Sequence, residues 1–560
     1  MHCDNDKVSP ILLMTTYAYL TLPILLFFLF WLKSSIGIPA AFLLLLGMIL
    51  CLKNHDLNLG NPVFSKNALV KLCAIFCIVV IWVVLSGVGG YVWQNSDHHV
   101  RNEIFNVMVQ DAWPLRSNTS ESIPLVYYIG YWLPAAAIGK LCGPEIGYLF
   151  LFLWTAFGIL LCYALICLKR QKISVWPLLV FLFFSGLDCV GTILVQAEPF
   201  QIFGIEHLEA WSLHFQYSSM TTQLFWVFNQ SVPAWLACTL VFYFERPQNM
   251  LFTLSLLLLV SSFPFIGLIP FAVYFMIKRS FWHDTYPHVH CLIRDIWKNW
   301  ASVQNLLAAP AICGICGLYL SGNEALSGTV GILYTEEGRF RIELILIAFI
   351  GIGGGFCVCA QLALHGFGKY LKAMGLSAAA LFLFSRLCTF DYPEWWALPF
   401  IWVNLTLFYF LEAGIFLLIL SPMVSDRPLL RLNALCLYLI PLIRIGYSCD
   451  FCMRASIPGL FLVLLWCIEA LSQGKAFLCP DKLYLEKNVS VQPPMAKRRA
   501  IALLAILLLV GSITPLHEWK RTYVNTFHYY EPYSVSEEEL FQGPNVRGNP
   551  ESVFWQYLSR

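Results

Sequence analysis

The sequence predicts an all-α, polytopic transmembrane helix bundle, and three observations carry that prediction. Of the 560 residues, 59% are hydrophobic and only 12% are charged, against about 45–50% apolar residues in an ordinary soluble domain. The mean hydropathy is +0.68. Apolar windows long enough to cross the hydrocarbon, about 20 residues each, recur from one end to the other. The 35 basic and 33 acidic residues nearly cancel, so bulk charge points to neither nucleic acid nor an acidic partner. The 20 cysteines lie mostly inside apolar segments, where a free thiol behaves as a small hydrophobe and not as part of a disulfide framework.

Taken in order, the first window, roughly 11–32, has no small-residue cleavage site and is longer than a signal-peptide core, so it reads as a span. Further spans are expected near 36–52, 68–88, 146–168, 174–195, 228–244, 249–277, 304–320, 343–364, 373–388, 397–420, 431–446, 457–472 and 499–514. Pro264 and Pro270 can break 249–277 into a hairpin of two short helices, which brings the total to about 13–15 crossings. Lys and Arg favour cytoplasmic loops. The clusters Lys53/Lys66/Lys71, Lys169/Arg170/Lys172, Lys278/Arg279/Arg294/Lys298, Lys369/Lys372, Arg427/Arg431 and Lys497/Arg498/Arg499 fit one scheme. In it the N-terminus is cytoplasmic, 1–514 is a transmembrane domain, and loops 89–145, 196–227 and 447–456 lie outside together with the tail 515–560. The run 124–142 breaks this alternation if it spans. It therefore reads as an interfacial or re-entrant helix, which a belt of Tyr127, Tyr128, Tyr131 and Trp132 suits.

The first outer loop holds the densest group of charges. Gly89 and Gly90 end the preceding helix, Ser96 or Asp97 can cap a new one, and Pro114 stops it after about Trp113. On a helical wheel Val100, Ile104, Val107 and Met108 form an apolar stripe, while His99, Asn102, Glu103, Asn106 and Gln110 form the opposite face. Asp97, Arg101 and Asp111 fall on or beside the apolar stripe. A carboxylate held there needs a partner or a function. Asp97 and Arg101, spaced i,i+4, can pair, and a catalytic Asp97 fits the same pattern. Asp97 and Asp111 would stand about 21 Å apart on a straight helix, so they form no dyad. Adjacent His98 and His99 point in different directions and lack metal-ligand spacing, so neither a metal nor another cofactor is expected.

Residues 205–230 interleave Glu206, His207, Glu209, Gln216, Tyr217, Ser218 and Gln223 with Trp211, Phe215, Phe225 and Trp226. Polar edges beside flat aromatic faces are what a sugar site uses, although an interfacial aromatic belt would share the aromatics. In 441–458, Asp450 and Arg454 are again four apart. Arg454 can clamp phosphate through its planar fork or pair with Asp450. The tail ends FWQYLSR, whose aromatics should dock rather than stand in water.

Many spans, an acidic amphipathic first outer loop and further polar-aromatic loops on the same face resemble the GT-C superfamily of integral-membrane glycosyltransferases. FQYSS and DFCMRASIP are also similar to segments of bacterial multi-pass proteins of no assigned activity. The GT-C resemblance implies transfer of a sugar from a polyprenyl-phosphate donor to a glycan, lipid or protein hydroxyl outside a bacterial cytoplasmic membrane. It implies inversion without a metal, since no D-x-D or E-x-D pair occurs in the loop. The carried-over base is Asp97 in QNSDHH, with Asp111 or Glu103 as substitutes. Arg454 and Arg101 would offset the leaving phosphate, and His99, His207, Glu209, Gln216, Tyr217 and Asp450 would line the substrate. The rival expectation is a transporter or flippase of a lipid-linked saccharide, in which the same groups bind without chemistry.

Overall fold

The computed structural model describes residues 10–53, 66–118, 122–195, 207–212, 215–244, 246–281, 297–327, 330–332, 398–445, 449–472, 495–529, 535–543 and 545–560. Among these, nine helices are long and apolar enough to cross a membrane, as in a multi-pass helical membrane protein. Their outer faces carry bare apolar side chains, including Phe42, Val70 and Leu509, which suit contact with lipid. The expected spans 343–364 and 373–388 lie outside the described residues. The run 249–277 is divided into Met250–Ser255 and Ser262–Phe281, but the break falls at 256–261 and not at the prolines: Pro264 lies in the first turn of the second helix, where no backbone N–H is needed, and Pro270 lies inside it. The chain divides into two compact units.

The first unit comprises residues 1–182, 221–327 and 518–560. Its spans Pro10–Trp31, Ser34–Lys53, Lys66–Leu85, Pro144–Lys169 and Met220–Phe244 meet through buried aromatics, among them Tyr19 and Trp82, whose polar tips find partners inside. Tyr19 stacks on Trp154 at 4.0 Å between ring centres and donates to the Trp154 carbonyl at 3.1 Å. Trp82 Nε1 donates to Thr221 Oγ1 at 3.0 Å. Each contact satisfies a polar group that the hydrocarbon could not.

Residues 124–142 depart from the expected aromatic belt. A short turn, Ile129–Trp132, leads into the helix Leu133–Cys142, and Tyr131 and Trp132 are buried in protein. The Tyr131 hydroxyl donates to Thr155 Oγ1 at 2.9 Å, so its polar tip needs no lipid headgroup. The C-terminal segment docks on this unit as its apolar composition requires. Phe554 packs against Phe27 and Tyr319, and the Arg560 amide donates to the Trp31 carbonyl at 3.0 Å.

The second unit comprises residues 183–220 and 328–517. Its described helices include Asp188–Val195, Leu398–Tyr409, Ile415–Leu420, Arg427–Leu439, Asp450–Ala455, Ile457–Ser472 and Met495–Gly511. The span expected at 431–446 stops at Leu439, just before Pro441, which cannot donate to a continuing helix. Residues Ile443–Ile445 then pair antiparallel with Val330–Ile332. Apart from this three-residue pair of strands, the described elements are helical. The apolar run 174–195 is also interrupted: helix Trp176–Phe183 ends, 184–187 is irregular, and Asp188 starts the next helix.

Candidate functional site

The densest polar constellation in the first unit is built on the helix Ser96–Gln110. Gly87, Gly89 and Gly90 all adopt positive φ, a conformation glycine takes without strain, and they turn the chain out of the preceding span. Gln94 ties the turn down: its Nε2 donates to the Gly87 carbonyl at 2.7 Å, and its Oε1 accepts from Asn102 at 2.8 Å. The cap is Asn95 and not Ser96 or Asp97, with its side chain accepting from the Asp97 amide at 3.1 Å. The helix ends at Gln110, short of Trp113. Ile104, Val107 and Met108 are buried as the wheel predicts, whereas Val100 is exposed and His98, assigned to neither face, is buried.

What this helix packs on decides its chemistry. The helix Met220–Phe244, expected to begin at 228, begins eight residues earlier and carries a kink at Val227, where φ is −141° and ψ is 39°. A kink is where helix carbonyls become available to outside donors. The Phe225 carbonyl accepts from Asn95 Nδ2 at 2.9 Å and from His98 Nε2 at 3.0 Å. The Trp226 carbonyl accepts from the Arg101 guanidinium. On the same stretch, Trp235 Nε1 donates to Gln223 Oε1 at 3.0 Å. Asn229 and Gln230 are buried with all four side-chain amide atoms lacking a protein partner, so the kink has polar capacity to spare.

His98 is held neutral by this arrangement. Nε2–H points at the Phe225 carbonyl, which leaves Nδ1 to accept from Gln94 Nε2 at 3.4 Å. Burial, followed by the neighbouring Arg101 charge, pushes its pKa down from 6.5 to about 4. The ring lies nearly parallel to Phe228, 5.5 Å away.

Arg101 NH2 meets Asp97 Oδ2 at 2.7 Å, with the Arg side chain 4% and the Asp side chain 37% exposed. The pair is therefore asymmetric. The cation is anchored in protein, while the carboxylate keeps one face open. A second pair joins it through Trp226. Arg521 NH2 meets Glu518 Oε2 at 2.8 Å, Trp226 Nε1 donates to the same oxygen at 3.3 Å, and the Arg521 guanidinium lies 5.1 Å from the Trp226 ring centre and 5.4 Å from that of Trp93. Cations over indole faces are attracted by the ring quadrupole. Trp226 thus receives one arginine on its carbonyl and another on its ring, a junction that no local spacing announces.

The substitute carboxylates stand apart from Asp97. Glu103 accepts from Asn106 at 3.2 Å on the outer face of the helix. Asp111 follows the last helical turn in extended backbone, so the wheel does not apply to it. Lys140 donates to its backbone carbonyl and to that of Val109, as cations do at helix C-termini. Burial and then the Glu537 charge push the Asp111 carboxyl up, with Lys140 opposing. His99 is half-buried, and burial draws its imidazole pKa down.

The remaining expected site residues belong to the second unit. Glu209 is buried, accepting from the Ser219 amide at 2.8 Å and Gln216 Nε2 at 3.1 Å. The Tyr217 hydroxyl donates to the Leu437 carbonyl. These polar atoms are spent on the protein itself. His207 is half-buried one residue before the turn Leu208–Ser212. Arg454 NH2 pairs with Asp450 Oδ1 at 3.1 Å, with the Arg side chain 6% and the Asp side chain 34% exposed, an asymmetry like that of Arg101 and Asp97. Sequence reasoning passed over Asp188 and Glu412, which this unit buries side by side. A lone acid in FSGLDCV and another in FYFLEAGIF were the available signals. Among the described residues, no three His, Cys, Asp or Glu side chains gather as metal ligands. In comparisons with known proteins, the chain matches no family model, no curated protein and no solved structure.

Proposed function

We propose that this protein is a membrane glycosyltransferase of the GT-C kind, moving a sugar from a polyprenyl-phosphate donor to an acceptor hydroxyl on the extracytoplasmic face. The observation that carries this reading is the asymmetric Asp97–Arg101 pair: an open carboxylate beside a guanidinium locked in protein by the Trp226 carbonyl. Asp97 takes the proton of the acceptor hydroxyl, the acceptor oxygen attacks the anomeric carbon from the face opposite the phosphate, and the phosphate leaves with the bonding pair. One displacement inverts the centre. Arg101 steadies the ionised base and supplies positive charge near the departing anion. Trp93 and Trp226 offer aromatic surface of the kind that covers sugar C–H faces. Glu103, on the outer face of the helix, and Asp111, beyond its last turn, stand apart from Asp97 and take no part.

The test is turnover in nanodiscs offered a panel of polyprenyl-phosphate sugars, with free polyprenyl phosphate read by mass spectrometry. Asp97→Asn is expected to cost about 10²-fold or more, the usual range for a general base. Unchanged turnover in that variant removes Asp97 from the mechanism. A second reading, transport of a lipid-linked saccharide, is favoured by the interruption of the apolar run at 184–187 next to a buried acid, since broken membrane helices with ionisable groups mark transport sites. Movement of the lipid-linked sugar across the bilayer without any lipid product would establish it instead.

A further inference from the structure

Asp188 and Glu412 come from distant parts of the sequence and meet inside the second unit. Each is 1% exposed. Asp188 opens the helix that follows the break at 184–187. Glu412 sits on a π-helical turn, Phe410–Gly414, within an otherwise α-helical stretch, and such turns frequently present functional groups.

The donors around the pair are all neutral. Ser185 Oγ and Thr514 Oγ1 donate to Asp188 Oδ2 at 2.8 and 3.0 Å, and Trp211 Nε1 donates to Glu412 Oε1 at 3.1 Å. Glu412 Oε2 has no hydrogen-bond partner. It rests against Gly186, where a Cβ would fall 1.7 Å from it. Neither carboxyl pairs with Lys or Arg among the described residues. The other ionisable groups near the pair are Glu209, whose charge reaches Glu412, and Tyr217 and Cys189, which feel the charges of Glu412 and Asp188. The helix that supplies Thr514 also carries His517, buried one turn on.

Two facts then determine what the pair holds. Two ionised carboxylates buried together in apolar surroundings, with no cation, would be costly. The Leu187 amide donates to the Leu411 carbonyl at 3.2 Å, which sets the two acids side by side, and a proton carried by one of them fills the place that Glu412 Oε2 leaves without a donor. We propose that Asp188 and Glu412 form a one-proton binding site in the membrane-embedded part of the second unit, the proton lying between Asp188 and Glu412 Oε2. Three neutral donors and the N-terminal end of the 188–195 helix hold the single remaining negative charge. Such a site stores or passes one proton at a time. It adds a proton-handling function to the chain whichever reading of the Asp97 site holds.

Infrared spectroscopy of the full chain in nanodiscs tests it, through the carbonyl stretch of a protonated carboxyl, which moves down on transfer to D₂O. With one shared proton, Asp188→Asn and Glu412→Gln should each abolish the whole band, because the amide donates to the surviving carboxylate and no acid proton remains. Loss of only half the band in each single variant would show two separately protonated acids and overturn the proposal. Absence of the band in the wild type, with thermal stability that instead rises with added Na⁺, would show a metal-cation site and overturn it as well. Should either single variant fail to fold, the double variant Asp188→Asn/Glu412→Gln presents a neutral pair of the same shape. It must lack the band entirely; a band that survives there arises elsewhere and refutes the assignment.

Discussion

His98 gives the most direct measure of how tightly the loop helix is fixed. Its ring is 1% exposed and both nitrogens are engaged in the neutral form. A pKa drawn down from 6.5 to about 4 means that below pH 6.5 the unfolded chain binds a proton that the folded chain refuses. Stability from this residue is fully present above pH 6.5, falls as the pH drops through the window from 6.5 to about 4, and is exhausted below it. At about 1.4 kcal/mol for each tenfold change, the full loss is about 3 kcal/mol. The comparison that isolates it is His98→Gln, whose side-chain amide can still donate to the Phe225 carbonyl but does not titrate. Thermal unfolding in nanodiscs should show the wild type more stable than the variant at pH 7.5, with the gap closing as the pH approaches 4. Other titrating groups are common to both proteins and cancel. A gap of constant size from pH 7.5 to 4.5 would refute the claim that His98 is buried neutral.

Further outcomes follow from the same contacts. Trp226→Phe keeps a ring under Arg521 but strips the N–H that reaches Glu518, leaving a buried carboxylate short of a donor; it should lower stability by about 1–2 kcal/mol, and an unchanged unfolding temperature would remove Trp226 as the junction. Gly186→Ala places a methyl group 1.7 Å from Glu412 Oε2, an overlap expected to cost about 3 kcal/mol; wild-type thermal stability in that variant would mean the pair is not packed as described. Removing the exposed Arg547–Glu324 pair, 33% and 40% exposed, should change stability by no more than about 0.5 kcal/mol, and a larger loss by the same thermal measurement would show that the C-terminal docking depends on it.

Much of the first unit was legible because membrane spans are long and repetitive. The hydrocarbon demands about 20 apolar residues per crossing, so spans such as 11–32 and 146–168 fall within two residues of the helices Pro10–Trp31 and Pro144–Lys169. The loop helix was legible too, and so was its buried Arg101, because a 3.6-residue period separates faces. The errors have physical causes. Asn95, Ser96 and Asp97 are equally good capping residues in sequence, and only backbone geometry makes Asn95 the cap. An amphipathic aromatic such as Tyr131 suits a headgroup belt in the sequence because it looks the same whether its polar tip meets lipid or Thr155.

The sequence by itself determined that this chain is a membrane bundle, that a polar helix follows its third span, and that Asp97 and Arg101 lie four apart on that helix's inner side. The tertiary structure decided what they face. Nothing in QLFWVFNQ announces a kink at Val227 or the side chains that the Phe225 and Trp226 carbonyls would recruit, since periodicity reports which side of a helix is buried and not which backbone oxygen is open to a donor. Nor does any local pattern join Asp188 to Glu412, 224 residues apart. A lone acid in an apolar run reads as a cost, and only the fold supplies the second acid with which it can share a proton.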